Sequence, residues 1–529
     1  MPSERYTDVN LRDSTSSPRG VQERLHAPQF FISRLIPHNL LVTSILCKFA
    51  IAFQICVKMN LPQAFIAQME GLLGVEQTRQ LVEALQTEPP VSLRVNRQKA
   101  GALDFQDCES VPWCSDGRYL PERPSFTSDP LFHAGCYYVQ EASSMFLEQV
   151  MRRYVHQPVC MLDLCAAPGG KSTHALSLLP QGSLLIANEI VPQRAQILAE
   201  NITKWGSANA VVTGNDPSAF TALENLFDVI LTDVPCSGEG MFRKDETAIT
   251  EWSPENVVLC WQRQRRILSD IWPCLKAGGL LIYSTCTFNA QEDEENVAWI
   301  ASELGAEVLP VEVPEEWGIT GCLTKDEIPV YRFLPHRTKG EGFFMAVLRK
   351  AEADYRPFSP RPSKKKEKQK GTVLPKEALK QAASWIDSAA HEVLAEGDIL
   401  YAFPQAYVAL RTALRGSLRI LKAGVALAQV KGHDLIPAHD LVLSTLYKKG
   451  VFPHVELTEE QALTYLRREV LSLPEAPRGY VVVTKKHVPL GLVKNLGSRA
   501  NNLYPAEWRI RSSYLKSFKS SSMSQNSSE

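Results

Sequence analysis

From about residue 159 onward, short apolar runs alternate with amphipathic stretches at helical spacing. The runs "VCMLDLC", "SLLIANE", "NAVVTGND", "FDVILTDV", "LLIYSTC" and "EGFFMAVLRK" are rich in β-branched and aliphatic residues and predict strands. Between them, "KSTHALSLL" and "VPQRAQILAENITKWG" predict helices, the second closed by Gly206. A longer helix starts at Ser253-Pro254, a capping residue followed by a proline at the first helical position. Its stripe of Val257, Trp261, Leu268, Ile271, Trp272 and Leu275 predicts a helix that runs to Gly278-Gly279. Strands alternating with helices in this way predict an α/β, doubly wound, mainly parallel sheet. In that architecture ligands sit beyond the carboxyl ends of the strands. Cys165, Glu189, Asp216, Asp233, Cys236 and Cys286 all fall at such ends.

The pattern changes on both sides of this region. After Lys350, "YRPFSPRPSKKKEKQKG" is proline-rich and then lysine-rich, which predicts a linker over 351–385. Beyond it, "GDILYAFP", "GSLRILKAGVALAQV" and "GYVVVTKKHVPLGLVKNLG" are short β-type runs. They predict a small mixed domain, partly β-barrel, over 386–512. A serine-rich tail, 513–529, lacks the apolar residues needed for a core. At the other end, "NLLVTSILCKFAIAFQICVK" has the length of a membrane span but is interrupted by Lys48. "MNLPQAFIAQMEGLLG" then reads as a protein start at Met59, with Asn60 as a cap and Pro62 in the first turn. The expectation is that 1–58 is an upstream translation artefact and that no membrane anchor is present.

At 529 residues the chain is too long for one simple core, and roughly two to four domains are expected. Hydrophobic residues make up 44% and charged residues 22%, the balance of an ordinary globular protein. The net charge of −1 hides a local excess of nine Lys/Arg against one acid, Glu507, from Arg478 to Lys519. That excess suits a polyanion. The twelve cysteines contain no CxxC pair, so no metal site and no disulfide scaffold is expected. Several, such as Cys160, Cys260 and Cys274, sit inside apolar runs as reduced core thiols, which points to a reducing cytoplasm.

The chemistry concentrates at the strand ends. "LDLCAAPGGKSTH" is a strand, a turn of small residues and a helix, a form that lets backbone approach a ligand and presents helix-start amides. It is neither GxGxxG nor a nucleotide-phosphate loop. Glu189 lies twenty residues beyond Gly169, where a ribose-binding acid belongs. Asp216 and Asp233 end the next two strands. A site lined by three acids suits a nucleoside carrying positive charge. Cys236 and Cys286 each stand in a strand-end loop among small polar residues, where a thiol is accessible. A thiol beside a methyl donor fits methylation of cytosine at carbon 5. That carbon is a poor nucleophile until a thiolate adds to carbon 6, and a nearby carboxyl group, such as Asp233, helps the addition. A redox pair is the competing use of two thiols.

"DLCAAPGGKSTH", "DVPCSGEGMFRKD", "WSPENV", "QRQRRIL" and "LIYSTCTFNAQEDEENV" resemble the Sun/Fmu (NOL/NOP/Sun) family of RNA (cytosine-5)-methyltransferases. "SLRVN", "GCYYVQEASSM" and "GLVKNLGSRANNLYP" are similar to it too, and the likeness is nearest to bacterial RsmF-like enzymes of small-subunit ribosomal RNA. It spans Met59 to about Ser512. It implies an N-terminal α+β RNA-binding subdomain at 59–150, a Rossmann-like methyltransferase domain at 151–350 and a PUA-like RNA-binding domain at 386–512. It implies S-adenosyl-L-methionine as cofactor, RNA as partner, no metal and no obligate protein partner. It also implies roles. Cys286 is the nucleophile and Cys236 assists release of the methylated base. Cys165, Ala166, Ala167, Pro168, Gly169, Gly170 and Lys171 form the cofactor turn, and Glu189, Asp216 and Asp233 are its acids. Cys165 is read as a packing position. Two rivals stand beside this reading. A DNA cytosine methyltransferase would use Cys236 as nucleophile, and a non-catalytic ribosome-assembly factor would keep only the fold.

Overall fold

The computed structural model describes residues 60–99, 101, 103, 105, 107–352, 358, 375–387 and 389–511. The chain divides into two units, Met1–Met59 and Asn60–Glu529, and every described residue lies in the second. The expectations for 1–58, for the lysine-rich stretch and for the 513–529 tail lie outside the described residues. No helix among the described residues is long and apolar enough to cross a membrane.

Helices α1 (Gln63–Leu73) and α2 (Val75–Leu85) lead into an antiparallel sheet of β1 (Val91–Val95), β2 (Gly117–Leu120) and β3 (Tyr137–Val139). Asn60 does not cap α1. The first helical bond, Ile66 N–H to Pro62 C=O at 3.2 Å, closes on Pro62 and leaves Asn60 outside the turn.

The central sheet is built from β4 (Cys160–Asp163), β5 (Leu184–Asn188), β6 (Ala210–Thr213), β7 (Phe227–Asp233), β8 (Leu275–Thr285), β9 (Ala306–Val308), β10 (Val330–Phe333) and β11 (Phe343–Lys350). Its order is β10-β11-β8-β7-β4-β5-β6, with β9 also on β11. Strands β8 to β6 in that order are parallel, and β9, β10 and β11 are antiparallel additions. The chain runs β4, β5, β6 to one side and then returns to place β7 and β8 on the other. The strand order therefore reverses between β4 and β7, the point at which ligands bind in open sheets of this kind. Alternate residues fill two separate cores. Met161, Leu185, Val229, Ile282 and Val347 enter one, and Leu162, Ile186, Ile230, Leu281 and Leu348 the other. A sheet buried on both faces explains the nearly continuous apolar runs of the sequence.

Helix α3 (Gly170–Leu178) follows β4, α4 (Pro192–Trp205) follows β5, and α5 (Pro254–Ile271) precedes β8. Gly206 closes α4 with φ 92°, and the Ser253 side chain caps α5 by accepting from Asn256 N–H at 3.1 Å. The predicted end of α5 is corrected. It stops at Ile271, because Pro273 has no N–H to continue the ladder, and a 3-10 turn, Trp272–Cys274, follows. Gly278 and Gly279 lie inside β8, where Phe227 faces Leu275 but Val229 faces Leu280. The glycines absorb this bulge, and a Cβ at Gly279 would sit 2.8 Å from Leu275 and 2.9 Å from the Lys276 carbonyl.

Helix α6 (Glu294–Glu303) follows β8, and α7 (Lys376–Ala383) stands within the expected 351–385 linker. Its "KEALKQAA" sequence favours helix, and Ala378 and Ala382 are buried in a C-terminal core. The C-terminal strands are β12 (His391–Glu396), β13 (Ile399–Pro404), β14 (Ile420–Ala423), β15 (Val425–Lys431), β16 (Asp434–Pro437), β17 (His454–Glu456), β18 (Gly479–Lys485), β19 (Val488–Asn495) and β20 (Ala500–Asn502). They form two four-stranded sheets, β12-β13-β15-β16 and β17-β18-β19-β20. β14 departs from both. It pairs antiparallel with β6 and closes the free edge of the central sheet. Leu414, Leu418 and Ala423 join the same core as β4 and β5, so the C-terminal region is packed into the central domain.

Candidate active site

Parallel strands β4, β5, β6, β7 and β8 end side by side, and the predicted site residues lie at those ends or on the segments that follow them. After β4 the turn is held from outside. Ala166 N–H donates to Asn188 C=O at 2.8 Å, and Arg194 and Asn201 from α4 donate to the carbonyls of Ala167 and Pro168, each at 2.8 Å. Gly169 has φ 115°, and a Cβ there would press on Leu198 at 3.2 Å, so the turn needs glycine. Gly170 starts α3. Burial pushes the Cys165 thiol up, which keeps it neutral.

The acids are differently placed. Glu189 is buried, accepts from Val191 N–H at 2.9 Å and lies 3.6 Å from Arg194. Asp216 is half-exposed and caps a 3-10 turn, accepting from the Ser218 amide at 3.0 Å and its hydroxyl at 2.7 Å. Those bonds hold its carboxyl below the usual range. Asp233 accepts from Ser284 Oγ at 3.0 Å and pairs with Lys171 Nζ at 2.9 Å. Burial opposes the Lys171 charge, but Asp233 outweighs it and raises the ammonium, whose field also reaches Cys286. Lys171 thus leaves the turn proper and joins the thiol side of the site.

The two thiols meet. Cys236 Sγ and Cys286 Sγ are 3.2 Å apart, and Cys286 N–H donates to Cys236 Sγ at 3.4 Å. Both residues are partly exposed. The neighbouring Cys286 first, and then burial and Glu292, push the Cys236 thiol well above its ordinary value.

Several residues at the site were not anticipated from sequence. Asp163, at the end of β4, is fully buried; it accepts from Ser172 Oγ at 2.6 Å, and its other oxygen has no partner. Burial pushes its carboxyl up to about 7. The acidic run after Cys286 is not a solvated segment: Glu292, Asp293, Glu294 and Asn296 are all 0% exposed. Arg332 in β10 grips Glu294 at 2.5 and 2.7 Å and Asp293 at 3.0 Å, and Asp293 accepts from Thr285 Oγ1 at 2.6 Å. Glu239 and Glu292 lie beneath the thiol loops. A charged residue inside an apolar strand, "VYRF", was the one sequence sign of this arrangement.

Away from this edge, Cys114, Glu148 and His174 bring three buried ligand-type atoms within 4.8 Å of one another. Glu148 is already engaged by Arg152 at 2.8 Å and by Ser115 N–H at 3.2 Å, and burial lowers His174 to about 4. The trio is a buried polar group in which His174 of α3 meets Cys114 at 3.8 Å and Glu148 at 3.5 Å.

Comparison with known proteins agrees with this geometry. Residues 154–349 match the sequence model of 16S rRNA methyltransferase RsmB/F. Residues 61–142 match the N-terminal domain of 16S rRNA methyltransferase RsmF, and 452–510 match the RsmF PUA domain. Ribosomal RNA small subunit methyltransferase F of Klebsiella pneumoniae is 32% identical over 478 residues, covering 84% of this chain and 96% of that protein. The Escherichia coli O1:K1 protein of the same name is 31% identical over 475 residues, with the same coverage. The crystal structure of PH0851 superposes with a TM-score of 0.50 at 24% identity, covering 60% of this chain and 70% of that one, a likeness of fold. With the site residues gathered at the carboxyl ends of the parallel strands, the paired thiols and relatives matched along nearly their whole length, the chain belongs to the RsmB/F family of 16S rRNA methyltransferases.

Proposed function

We propose that the chain methylates carbon 5 of a cytosine in small-subunit ribosomal RNA, in the cytoplasm, with Cys286 as nucleophile and Cys236 as the thiol that clears the adduct. The carrying observation is the 3.2 Å approach of two partly exposed thiols on neighbouring strand-end loops beside Lys171 and Asp233.

The residues around the β4 turn fit S-adenosylmethionine. A close glycine turn, the orphaned buried oxygen of Asp163 and the carboxylate of Glu189 line the same edge. Glu189 would hold the ribose, Asp216 would stand near the adenine, and residues 165–171 would cradle the methionine part. When bound, that cofactor supplies an electrophilic methyl group.

The thiols divide the work because their charges interact. Two thiolates so close repel, so one proton is retained, and it stays on Cys236. Cys286, with the Lys171 ammonium nearby, supplies the thiolate. Its sulfur bonds to carbon 6 of a cytosine turned into the crevice, and the displaced ring electrons make carbon 5 nucleophilic. Asp233 supports this step by hydrogen bonding at the ring edge. After methylation at carbon 5, Cys286 sulfur is a neutral thioether. The leading cause that held Cys236 protonated has then gone. Cys236 can now ionise and help remove the carbon-5 proton, and the carbon 6–sulfur bond breaks to return the Cys286 thiolate.

The test uses Cys286→Ala and Cys236→Ala with radiolabelled cofactor and unmodified small-subunit RNA. Cys286→Ala should neither methylate nor form an adduct. Cys236→Ala should attack and release poorly, leaving protein cross-linked to RNA on a denaturing gel. The reverse pattern would reassign the nucleophile, and methyl transfer to DNA in place of RNA would overturn the substrate reading.

A further inference from the structure

Two buried carboxylates join the thiol loops by exchanging places. Glu239, on the loop after Cys236, accepts from Phe288 N–H at 2.8 Å, two residues beyond Cys286. Glu292, on the segment after Cys286, accepts from Ser237 N–H at 3.0 Å, the residue next to Cys236. Each loop thus supplies the carboxyl group that fixes a backbone amide of the other. Asn289 Nδ2 lies between them, 3.1 Å from Glu239 and 2.8 Å from Glu292. The Ser237 and Thr287 hydroxyls meet at 2.9 Å above it.

The other side chains within hydrogen-bond distance of these carboxyl groups are also donors. Gln68 of α1 and Trp252 each reach Glu239 at 3.0 Å, and Gln264 of α5 reaches Glu292 at 2.6 Å. No ion pair among the described residues includes either acid. Two buried carboxylates without a cation are costly unless amide donors are aimed at them. Such a device persists where position matters, and here the positions belong to the two sulfurs.

We propose that Glu292 and Glu239 are positioning residues with opposite assignments: Glu292 sets Cys236 for the release step, and Glu239 sets Cys286 for attack. The proposal rests on the thiol roles given above. Replacing either carboxylate by an amide turns an N–H toward donors, so the loop that it holds must shift while the overall shape is kept. Glu292→Gln should slow turnover and accumulate cross-linked RNA, as Cys236→Ala does. Glu239→Gln should slow turnover without accumulating adduct, as Cys286→Ala does. Loss of a hydrogen bond to a charged group corresponds to about ten- to a hundredfold in rate.

The experiment runs the four variants and the full-length chain side by side on unmodified small-subunit RNA. It reads single-turnover methylation, the cross-linked fraction, cofactor affinity and thermal unfolding. If Glu292→Gln does not fold, Glu292→Asp, which keeps the charge but is too short to span both loops, carries the same expectation. Opposite adduct behaviour of the two glutamate variants, with cofactor affinity unchanged, supports the proposal. If Cys236→Ala traps RNA but Glu292→Gln does not, the positioning roles fail and the thiol roles stand. If Cys236→Ala traps nothing, the thiol roles fail and the proposal falls with them.

Discussion

Replacing Arg332 by Met tests how much of the placement of Cys286 depends on the buried charge cluster beneath it. The guanidinium makes a two-pronged bond to Glu294 at 2.5 and 2.7 Å and a third bond to Asp293 at 3.0 Å, and all three side chains are 0% exposed. Methionine fills much of the volume but leaves two buried carboxyl groups without their cation. Breaking a buried pair in this way costs about 3–5 kcal/mol. Asp293 can take up a proton, since burial already pushes it well above the usual range. That relief places the expected loss at the lower end, about 3 kcal/mol. At about 2–4 °C per kcal/mol for a domain of this size, thermal unfolding should fall on the order of 10 °C. The triple change Arg332→Met, Asp293→Asn, Glu294→Gln should recover at least half of the loss, because the charges go together. Asp293 also holds Thr285, the residue before Cys286, so turnover should drop with cofactor affinity unchanged. A loss below about 1 kcal/mol, the value of an exposed pair, would refute the reasoning.

Glu189→Gln keeps an acceptor for Val191 N–H but removes the negative charge, so cofactor affinity by calorimetry should fall about ten- to a hundredfold; unchanged affinity would remove Glu189 from the site. Asp163 is a carboxyl raised from 3.8 to about 7 on folding, so the folded form binds the extra proton and stability is lost as pH rises through about 7. The stake is at most about 4 kcal/mol, and Asp163→Asn should melt higher than the parent at pH 8, with the gap closing toward pH 5. Arg478, Lys494 and Arg499 are exposed on the C-terminal region, and replacing all three by Ala should weaken RNA binding and reduce the log–log salt slope by about two. Point substitutions are used because removing the whole C-terminal region would also strip β14 from the central sheet.

The sequence made the central sheet readable because its strands are buried on both faces and its helices carry their own boundary residues. The errors have physical causes. Gly278-Gly279 looked like a helix stop, yet Pro273 had already ended α5, and the glycines serve a bulge that depends on pairing with β7. β14 looked like part of a C-terminal domain because periodicity says nothing about which edge a strand will join. α7 was hidden by the lysine-rich stretch before it, although Ala378 and Ala382 hold it against the C-terminal core.

At the site, the two thiols were legible and the groups that hold their loops were not. Cys236 and Cys286 stand out because a thiol at a strand end has a chemical use that local context reveals. Glu239 and Glu292 act on backbone amides of each other's loops, across 49 and 55 residues, and no local pattern records such an exchange. The acidic run after Cys286 misleads for the same reason. Read along the chain it is a charged, solvent-seeking segment, and only the fold brings Arg332, Gln264 and the Ser237 amide to it. The buried acids therefore explain a feature that the thiols alone leave open. The two sulfurs stand 3.2 Å apart, and the crossed carboxyl groups tie together the two loops that carry them.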